Sequence, residues 1–263
     1  MTTDSKWNDL ATRMGSGGIM VAVGILGIWI GGHVFHVLIS AVCGAMIWEL
    51  VRMLQPGQPR LAMRLGIASA VALLIASYLP LGVALPLILA PAFVGIGQMT
   101  KRRTRFTTYA TATLLAGLGM IALRDDFGVG WMVWLVLVVV VTDVAGYFAG
   151  RLIGGPKFWP AVSPKKTWSG TVAGWVGAAA VGLYYATYMG GGVNVIGISI
   201  ALSMASQLGD IAESAMKRQA GVKDSSALIP GHGGVLDRFD GMLGASLMLL
   251  IVEALVDFPP VTA

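Results

Sequence analysis

TWSGTVAGWVGAAAVGLYYATYMGGGVNVIGISIALSMASQLG, residues 167–209, contains no Asp, Glu, Lys or Arg. One membrane crossing takes roughly 20 residues, so this run is too long for a single helix and fits two, turned at Gly190-Gly191-Gly192. Residues 14–48 and 65–100 are also uncharged and long enough for a helical hairpin each. Only helices and closed barrels satisfy every backbone group in lipid, and the short alternating strands of a barrel are not seen. The chain reads as an all-α, polytopic transmembrane protein. Composition agrees: of 263 residues 56% are hydrophobic and 12% charged, about half the charge of a soluble domain. One cysteine, Cys43, excludes a disulfide framework and a thiolate metal cluster.

Working outward gives about nine spans: 17–31 and 33–54, broken at Gly31-Gly32; 63–78 and 81–98, broken at Pro80; 106–123; 129–149 after a turn at 124–128; 168–189; 194–218; and 241–257. The polar N-terminus has no cleavable signal pattern, so the first apolar run is read as a retained helix. Charge tests the count. With nine crossings, one side receives Lys6 and Arg13; Arg52, Arg60 and Arg64; Lys101, Arg102, Arg103 and Arg105; Arg151, Lys157, Lys165 and Lys166; and Lys217, Arg218, Lys223 and Arg238. Of the 18 basic residues this leaves only Arg124 opposite. Excess Lys and Arg mark the cytoplasmic side, so the N-terminus is expected in the cytoplasm and the C-terminus outside. Residues 1–128 form a region of about five spans. Residues 129–263 form a catalytic region of about four, with cytoplasmic loops at 151–167 and 217–240. No internal repeat is evident, which counts against a repeat-built transporter.

Ionisable groups inside spans are costly and usually functional. Asp143 sits at the inner end of the sixth span, and Gly146 and Gly150 follow at a small-xxx-small spacing that lets helices approach closely. On the eighth span Ser203, Gln207, Asp210, Ser214 and Lys217 share one face, with Glu213 beside them. Ser and Gln can simply bridge helices, but three ionisable groups exceed what bridging requires. Glu49 and Glu253 read as boundary residues, and His33 and His36 as interfacial packing. KRRTR, 101–105, reads as a juxtamembrane basic cluster that sets topology and attracts anionic lipid.

The densest charge is SAMKRQAGVKDSSALIPGHGGVLDRFD, residues 214–240. A solvated loop would also be charged, but that does not explain GHGG followed by DRFD. Asp210, Asp237 and Asp240, with no thiolates nearby, suit a hard cation such as Mg²⁺. Lys217, Arg218, Lys223 and Arg238, with Lys165 and Lys166 on another loop of the same side, complete the composition of a polyphosphate site. Gly231, Gly233 and Gly234 would let backbone N–H groups approach phosphate oxygens. Ser163-Pro164-Lys165-Lys166-Thr167 offers a second phosphate cradle. There is no Walker-type loop.

These residues resemble the phosphatidate cytidylyltransferase (CDP-diglyceride synthase) family. The signature S-x-x-K-R, K-D, P-x-H-G-G-x-x-D-R-x-D is filled by Ser214, Lys217, Arg218, Lys223, Asp224, Pro230, His232, Gly233, Gly234, Asp237, Arg238 and Asp240. Upstream, D-x-x-x-Y-x-x-G-R is matched by Asp143, Tyr147, Gly150 and Arg151, followed by SPKKT at 163–167. The likeness covers residues 142–240. Ser169 stands where the family commonly has Glu, and Val144 and Gly146 also depart from its usual residues. The resemblance implies Mg²⁺-dependent transfer of a cytidylyl group from CTP to phosphatidic acid in phospholipid biosynthesis, by an integral protein of the bacterial inner membrane with its site facing the cytoplasm. It implies Asp210 and Asp237 as metal ligands, with Asp240 assisting. Lys217, Arg218 and Arg238 hold phosphates. Ser163, Lys165, Lys166, Thr167, Ser214, Lys223, Gly233 and Gly234 bind substrate, His232 either contacts phosphate or braces the glycine turn, and Asp143 and Asp224 support them. Partners are CTP, phosphatidic acid and membrane lipids, not nucleic acid; a monovalent cation and a homodimer stay open. The alternatives are a CTP-dependent isoprenoid-lipid cytidylyltransferase or lipid-alcohol kinase and, from another class, a transporter. Charge gathered at one membrane face argues against the transporter.

Overall fold

The computed structural model describes residues 3–256 and 258, with side chains from residue 12 onward. Both termini, on which the expected orientation turns, lie outside the described residues, as does Asp257 at the end of the expected last span. Eight helices and one two-stranded sheet follow in the order α1 (Thr3–Ile30), α2 (Gly32–Leu54), α3 (Pro59–Ala76), α4 (Leu81–Gln98), α5 (Arg103–Leu152), β1 (Lys157–Trp159), β2 (Ser163–Thr167), α6 (Trp168–Tyr188), α7 (Asn194–Ala220) and α8 (Leu236–Leu255). Among the described residues six helices are long and apolar enough to cross a membrane: α1 from Thr12, α2, α3, α4, α5 and α7.

Three local differences from the expectation have physical causes. Residues 124–127 are helical rather than a turn, and the break falls at Gly128 alone, where φ is 82°. Only glycine adopts that conformation without strain, so α5 is two helices joined at one residue. Second, the polar segment is not all coil. β1 and β2 pair antiparallel, with Lys157 opposite Thr167 and Trp159 opposite Ser163. Phe158 packs edge-on against Trp168 with ring centroids 4.7 Å apart. Third, α8 starts at Leu236, so Asp237, Arg238 and Asp240 are helical.

The chain forms two compact units. One comprises residues 1–121 and 220–239, and its packing is set by small residues. A Cβ on Gly44 would meet the Gly66 carbonyl oxygen at 2.8 Å, and one on Gly66 the Gly44 carbonyl at 2.9 Å. Thus α2 and α3 cross at backbone contact, as small residues permit in membrane bundles. Buried Cys43 donates its thiol to the Thr113 carbonyl at 3.6 Å, which accounts for the single cysteine without redox chemistry. His33 bonds Tyr78 at 2.6 Å and His36 bonds Ser77 at 3.0 Å, joining the α2 start to the α3 end.

The other unit comprises residues 122–219 and 240–263. Trp131, Trp134, Tyr185 and Phe258 form an aromatic cluster at its centre. Trp134 donates to Ser199 Oγ at 3.0 Å and Tyr185 to the Gly130 carbonyl at 3.0 Å, so the polar tips are satisfied. Gly146 and Gly150 do pack closely: a Cβ on Gly146 would meet the Gly170 carbonyl at 3.2 Å, and one on Gly150 would meet Thr167 Oγ1 at 2.9 Å. In the reverse direction a Cβ on Gly170 would meet the Gly146 carbonyl at 2.5 Å. Gly170→Val is therefore expected to destabilise this unit by about 2–3 kcal/mol, the cost of overpacking where backbone cannot yield. A thermal melt in detergent checks it, and an unchanged midpoint would mean that the helices are not locked at this crossing.

Candidate functional site

The second unit holds a cleft of about 600 Å³ between the C-terminal end of α5, the C-terminal half of α7 and the β2–α6 junction. Asp143, Tyr147 and Arg151 line it from α5, Lys165, Lys166 and Thr167 from β2, and Gln207 and Asp210 from α7. The hairpin supplies the bases because the β2 strand runs directly into α6. Thr167 is the N-cap of α6: its Oγ1 accepts the Gly170 N–H at 3.3 Å, satisfying one orphan donor of the first turn. Ser169 donates its hydroxyl to the Gly154 carbonyl at 2.5 Å and bonds Thr167 Oγ1 at 3.0 Å. A hydroxyl where a carboxylate was the common expectation therefore ties the start of α6 back to the hairpin.

Within the cleft Lys166 Nζ lies 2.6 Å from Asp210 Oδ2, both partly exposed at 25% and 34%. Ser214 Oγ donates to Asp210 Oδ1 at 3.2 Å. Gln207 is fixed at both ends of its amide: Oε1 accepts the Trp175 indole N–H at 3.0 Å and Nε2 donates to the Thr171 carbonyl at 3.1 Å. Deeper along α7, Ser203 is buried with Thr142 Oγ1 at 2.8 Å. The polar face read along α7 thus divides by depth. Ser203 and Gln207 bridge helices, and Asp210 faces the cleft. Lys217 forms an ion pair with Glu213, whose side chain is fully buried. Arg218 is exposed. Asp240, half-buried at the start of α8, accepts the Gly241 N–H at 2.7 Å. Its carbonyl stands against Gly209, where a side chain would collide, so α7 and α8 also cross at backbone contact. Ser163 opens β2 opposite Trp159 and is not among the cleft-lining residues.

The remaining signature residues belong to the first unit. The GHGG segment is a tight turn in which Ile229 N–H donates to the Gly233 carbonyl at 2.8 Å, and the His232 and Gly233 N–H groups donate to the Ile229 carbonyl at 2.9 and 3.1 Å. Gly231 and Gly233 sit at φ of 75° and 87°, which a side chain would strain. The Gly234 N–H donates to Asp237 Oδ2 at 2.8 Å. These backbone N–H groups were expected to meet phosphate. Here Gly233 and Gly234 instead spend theirs on the turn and on Asp237. Asp237 also accepts the Ser225 N–H and hydroxyl, each 2.9 Å from Oδ2. Arg238 donates Nε–H to the His232 carbonyl at 3.0 Å, using one of five guanidinium donors on the turn. His232 Nδ1 is 2.9 Å from Ser16 Oγ on α1, and that hydroxyl lies 2.8 Å from the Pro230 carbonyl. A bracing role for His232 therefore has a visible partner. Lys223 and Asp224 are exposed.

Sequence reasoning missed the group at the centre of this loop. Glu49, read as a boundary residue, has no exposure at all. Its Oε1 accepts Ser226 Oγ at 2.6 Å and the Val235 N–H at 2.9 Å; its Oε2 accepts the Leu236 N–H at 2.7 Å and Ser225 Oγ at 3.2 Å. The N-terminus of α8 is capped by a carboxylate from α2, which favours negative charge there. This is why α8 begins five residues before its expected start. The available signal was a lone acid closing a 35-residue uncharged run.

Among the described residues no group of three or more His, Cys, Asp or Glu gathers as a metal cage. The oxygen donors of the cleft nevertheless fit Mg²⁺. That ion commonly takes one or two carboxylates and completes its shell with water and substrate phosphate, and Asp143 and Asp210 line the same cleft.

A family model described as "Cytidylyltransferase family" matches residues 11–256. A phosphatidate cytidylyltransferase of Brucella suis biovar 1 is 36% identical over 261 residues, covering 97% of both chains. One from Brucella abortus biovar 1 matches with the same identity and coverage. A phosphatidate cytidylyltransferase of Staphylococcus haemolyticus is 35% identical over 167 residues, 59% of this chain and 64% of its own length.

Proposed function

The chain belongs to the cytidylyltransferase family, and on that premise we propose that it converts CTP and phosphatidic acid to CDP-diacylglycerol and pyrophosphate. A phosphate oxygen of phosphatidic acid attacks the α-phosphorus of CTP. A new P–O bond forms, the bond to the β-phosphate breaks, and pyrophosphate leaves with its electron pair. The acceptor is already an anion, so no strong base is needed; positioning and charge neutralisation suffice. The observation that carries this reading is the cleft itself, where Arg151, Lys165 and Lys166 meet the carboxylates Asp143 and Asp210 on the C-terminal parts of the apolar helices α5 and α7.

In this proposal Lys165, Lys166 and Arg151 hold phosphate oxygens, with Lys217, Arg218 and Arg238 contributing positive charge. Asp210 and Asp237 are the metal ligands, Asp240 assists, and Asp143 orients a base or a metal-bound water. Bound Mg²⁺ would neutralise charge on the phosphates. Ser214 steadies Asp210, Thr167 holds the hairpin to α6, and Ser163 and Lys223 meet substrate at the rim. His232 and Asp224 shape the glycine turn, and the phosphate contacts assigned to Gly233 and Gly234 pass to side chains. Nine spans with a cytoplasmic N-terminus are proposed from the distribution of basic residues. That orientation sets the site at the cytoplasmic face of a bacterial inner membrane, where a soluble nucleotide and a two-chain lipid can both reach it.

The test is direct. Radiolabelled CTP incubated with phosphatidic acid in mixed micelles and the purified protein is expected to yield cytidine-labelled lipid and pyrophosphate. Transfer of label from the γ-phosphate of CTP to an added lipid alcohol would move the reading to a kinase, and cytidine label on an isoprenoid phosphate but not on phosphatidic acid would move it to a different acceptor. Movement of substrate into vesicles without covalent change would favour a transporter.

A further inference from the structure

A buried carboxylate without partners is expensive, and Glu49 offsets that cost with four donors drawn from one segment. Ser225 and Ser226 lie at one end of the segment, Val235 and Leu236 at the other. Between them lie the GHGG turn and, one residue beyond, Asp237. Ser225 Oγ stands 3.2 Å from Glu49 Oε2 and 2.9 Å from Asp237 Oδ2, so one hydroxyl links the two carboxylates. Gly234 makes the approach possible: a Cβ there would meet Glu49 Oε1 at 2.6 Å. Ser226, Val235 and Leu236 each present a hydrogen of their own, the Ser225 hydroxyl shares its single hydrogen between Glu49 and Asp237, and with donors at both oxygens only a carboxylate accepts at every point. Glutamine would turn an NH₂ towards at least one donor.

From this geometry we infer that Glu49 is a positioning residue for cytidylyl transfer: from α2 it fixes both ends of the 225–236 loop and, through Ser225, the orientation of the Asp237 carboxylate. The inference rests on the reading of Asp237 as part of the transfer site. Glu49 touches no substrate; it acts through the loop.

The experiment uses the full-length protein in micelles, comparing wild type with Glu49→Gln, Glu49→Asp and Ser226→Ala. Three quantities are read: kcat and KM for CTP and phosphatidic acid, the thermal midpoint, and hydrogen exchange of the amides of Gly234, Val235 and Leu236. Misplacement of reacting groups by an ångström costs on the order of 100-fold, so Glu49→Gln is expected to lower kcat by about that factor per folded molecule. KM for phosphatidic acid should stay within about threefold, because uniform binding is untouched. The three amides should exchange faster. Glu49→Asp, which keeps the charge, should recover about tenfold of the loss. A lowered midpoint with kcat per folded molecule unchanged in Glu49→Gln would overturn the inference, leaving Glu49 a structural staple. Should Glu49→Gln fail to fold, Ser226→Ala decides: removing one hydrogen bond is expected to cost about fivefold in kcat with the fold kept, and an unchanged kcat overturns the inference. A wild-type protein that transfers no cytidylyl group would instead overturn the proposed reaction, while the exchange data would still report whether Glu49 orders the loop.

Discussion

Asp210→Asn is expected to slow cytidylyl transfer by about 10³-fold, the scale of removing a main charge-positioning group from a phosphoryl-type site. The side chain is isosteric, and the asparagine oxygen can still accept the Ser214 hydroxyl, so the local scaffold survives. The charge does not. Lys166, 2.6 Å away, loses its counter-ion, and the cleft loses the carboxylate proposed there as a Mg²⁺ ligand. Asp210 is about one-third exposed, so stability should change by no more than about 1 kcal/mol. Activity measured against a Mg²⁺ titration, beside a thermal melt, separates the two effects. A near-normal rate with an unchanged metal requirement would remove Asp210 from the metal assignment.

Asp237→Asn should produce a loss of similar size by a different route. The Asp237 carboxylate accepts the Gly234 N–H, the Ser225 N–H and the Ser225 hydroxyl. Hydrogen bonds to a charged group contribute about 1.5–3 kcal/mol each, and a buried donor left unpaired adds a penalty. All three donors converge on Oδ2, so asparagine keeps them only with its oxygen there and its NH₂ set against the Ser225 N–H, which lies 3.2 Å from Oδ1; the bonds lose their charge assistance, and the start of α8 should loosen while charge is also lost. The expected outcome is an activity drop of about 10³-fold together with faster amide exchange at Gly234 and Ser225. Asp210→Asn should show the first without the second. Full activity in Asp237→Asn would exclude Asp237 both as a metal ligand and as a determinant of the loop's working shape.

What the sequence made legible were features written in neighbouring residues. Uncharged runs mark the helices because each one registers its own transfer to lipid. The break at Gly31-Gly32 and the close packing of Gly146 and Gly150 are likewise local, and the residues lining the cleft, Asp143 through Asp210, lie on segments whose polarity stands out against their surroundings. What stayed hidden depends on partners far along the chain. The Glu49 bonds to Val235 and Leu236 span 186 and 187 residues, and nothing near Glu49 announces them. The early start of α8 is hidden for the same reason, since its cap comes from α2. The hairpin at 157–167 is hidden because strands of three and five residues, with Pro156 before them, Pro160 between them and Pro164 inside the second, carry too little periodicity to distinguish strand from coil. For the GHGG turn the glycines stand out in the sequence, but only the hydrogen-bond pattern reveals that the Gly233 and Gly234 N–H groups are already engaged.

The crossing of Gly146 with Gly170 has a mechanical meaning for the cleft. Where two helices touch main chain to main chain, there is no side chain left to compress or rotate, so that wall behaves as a stiff jaw. The cleft is also lined by the β2 strand carrying Lys165 and Lys166, held by a three-residue partner and by the hydroxyl ties at Thr167 and Ser169. On the proposed reading, a change in the width available to a nucleotide would come more readily from this strand than from the glycine crossing. Engineering aimed at a larger or smaller nucleotide would accordingly start from the hairpin residues 157–167, with the glycine wall left as it is.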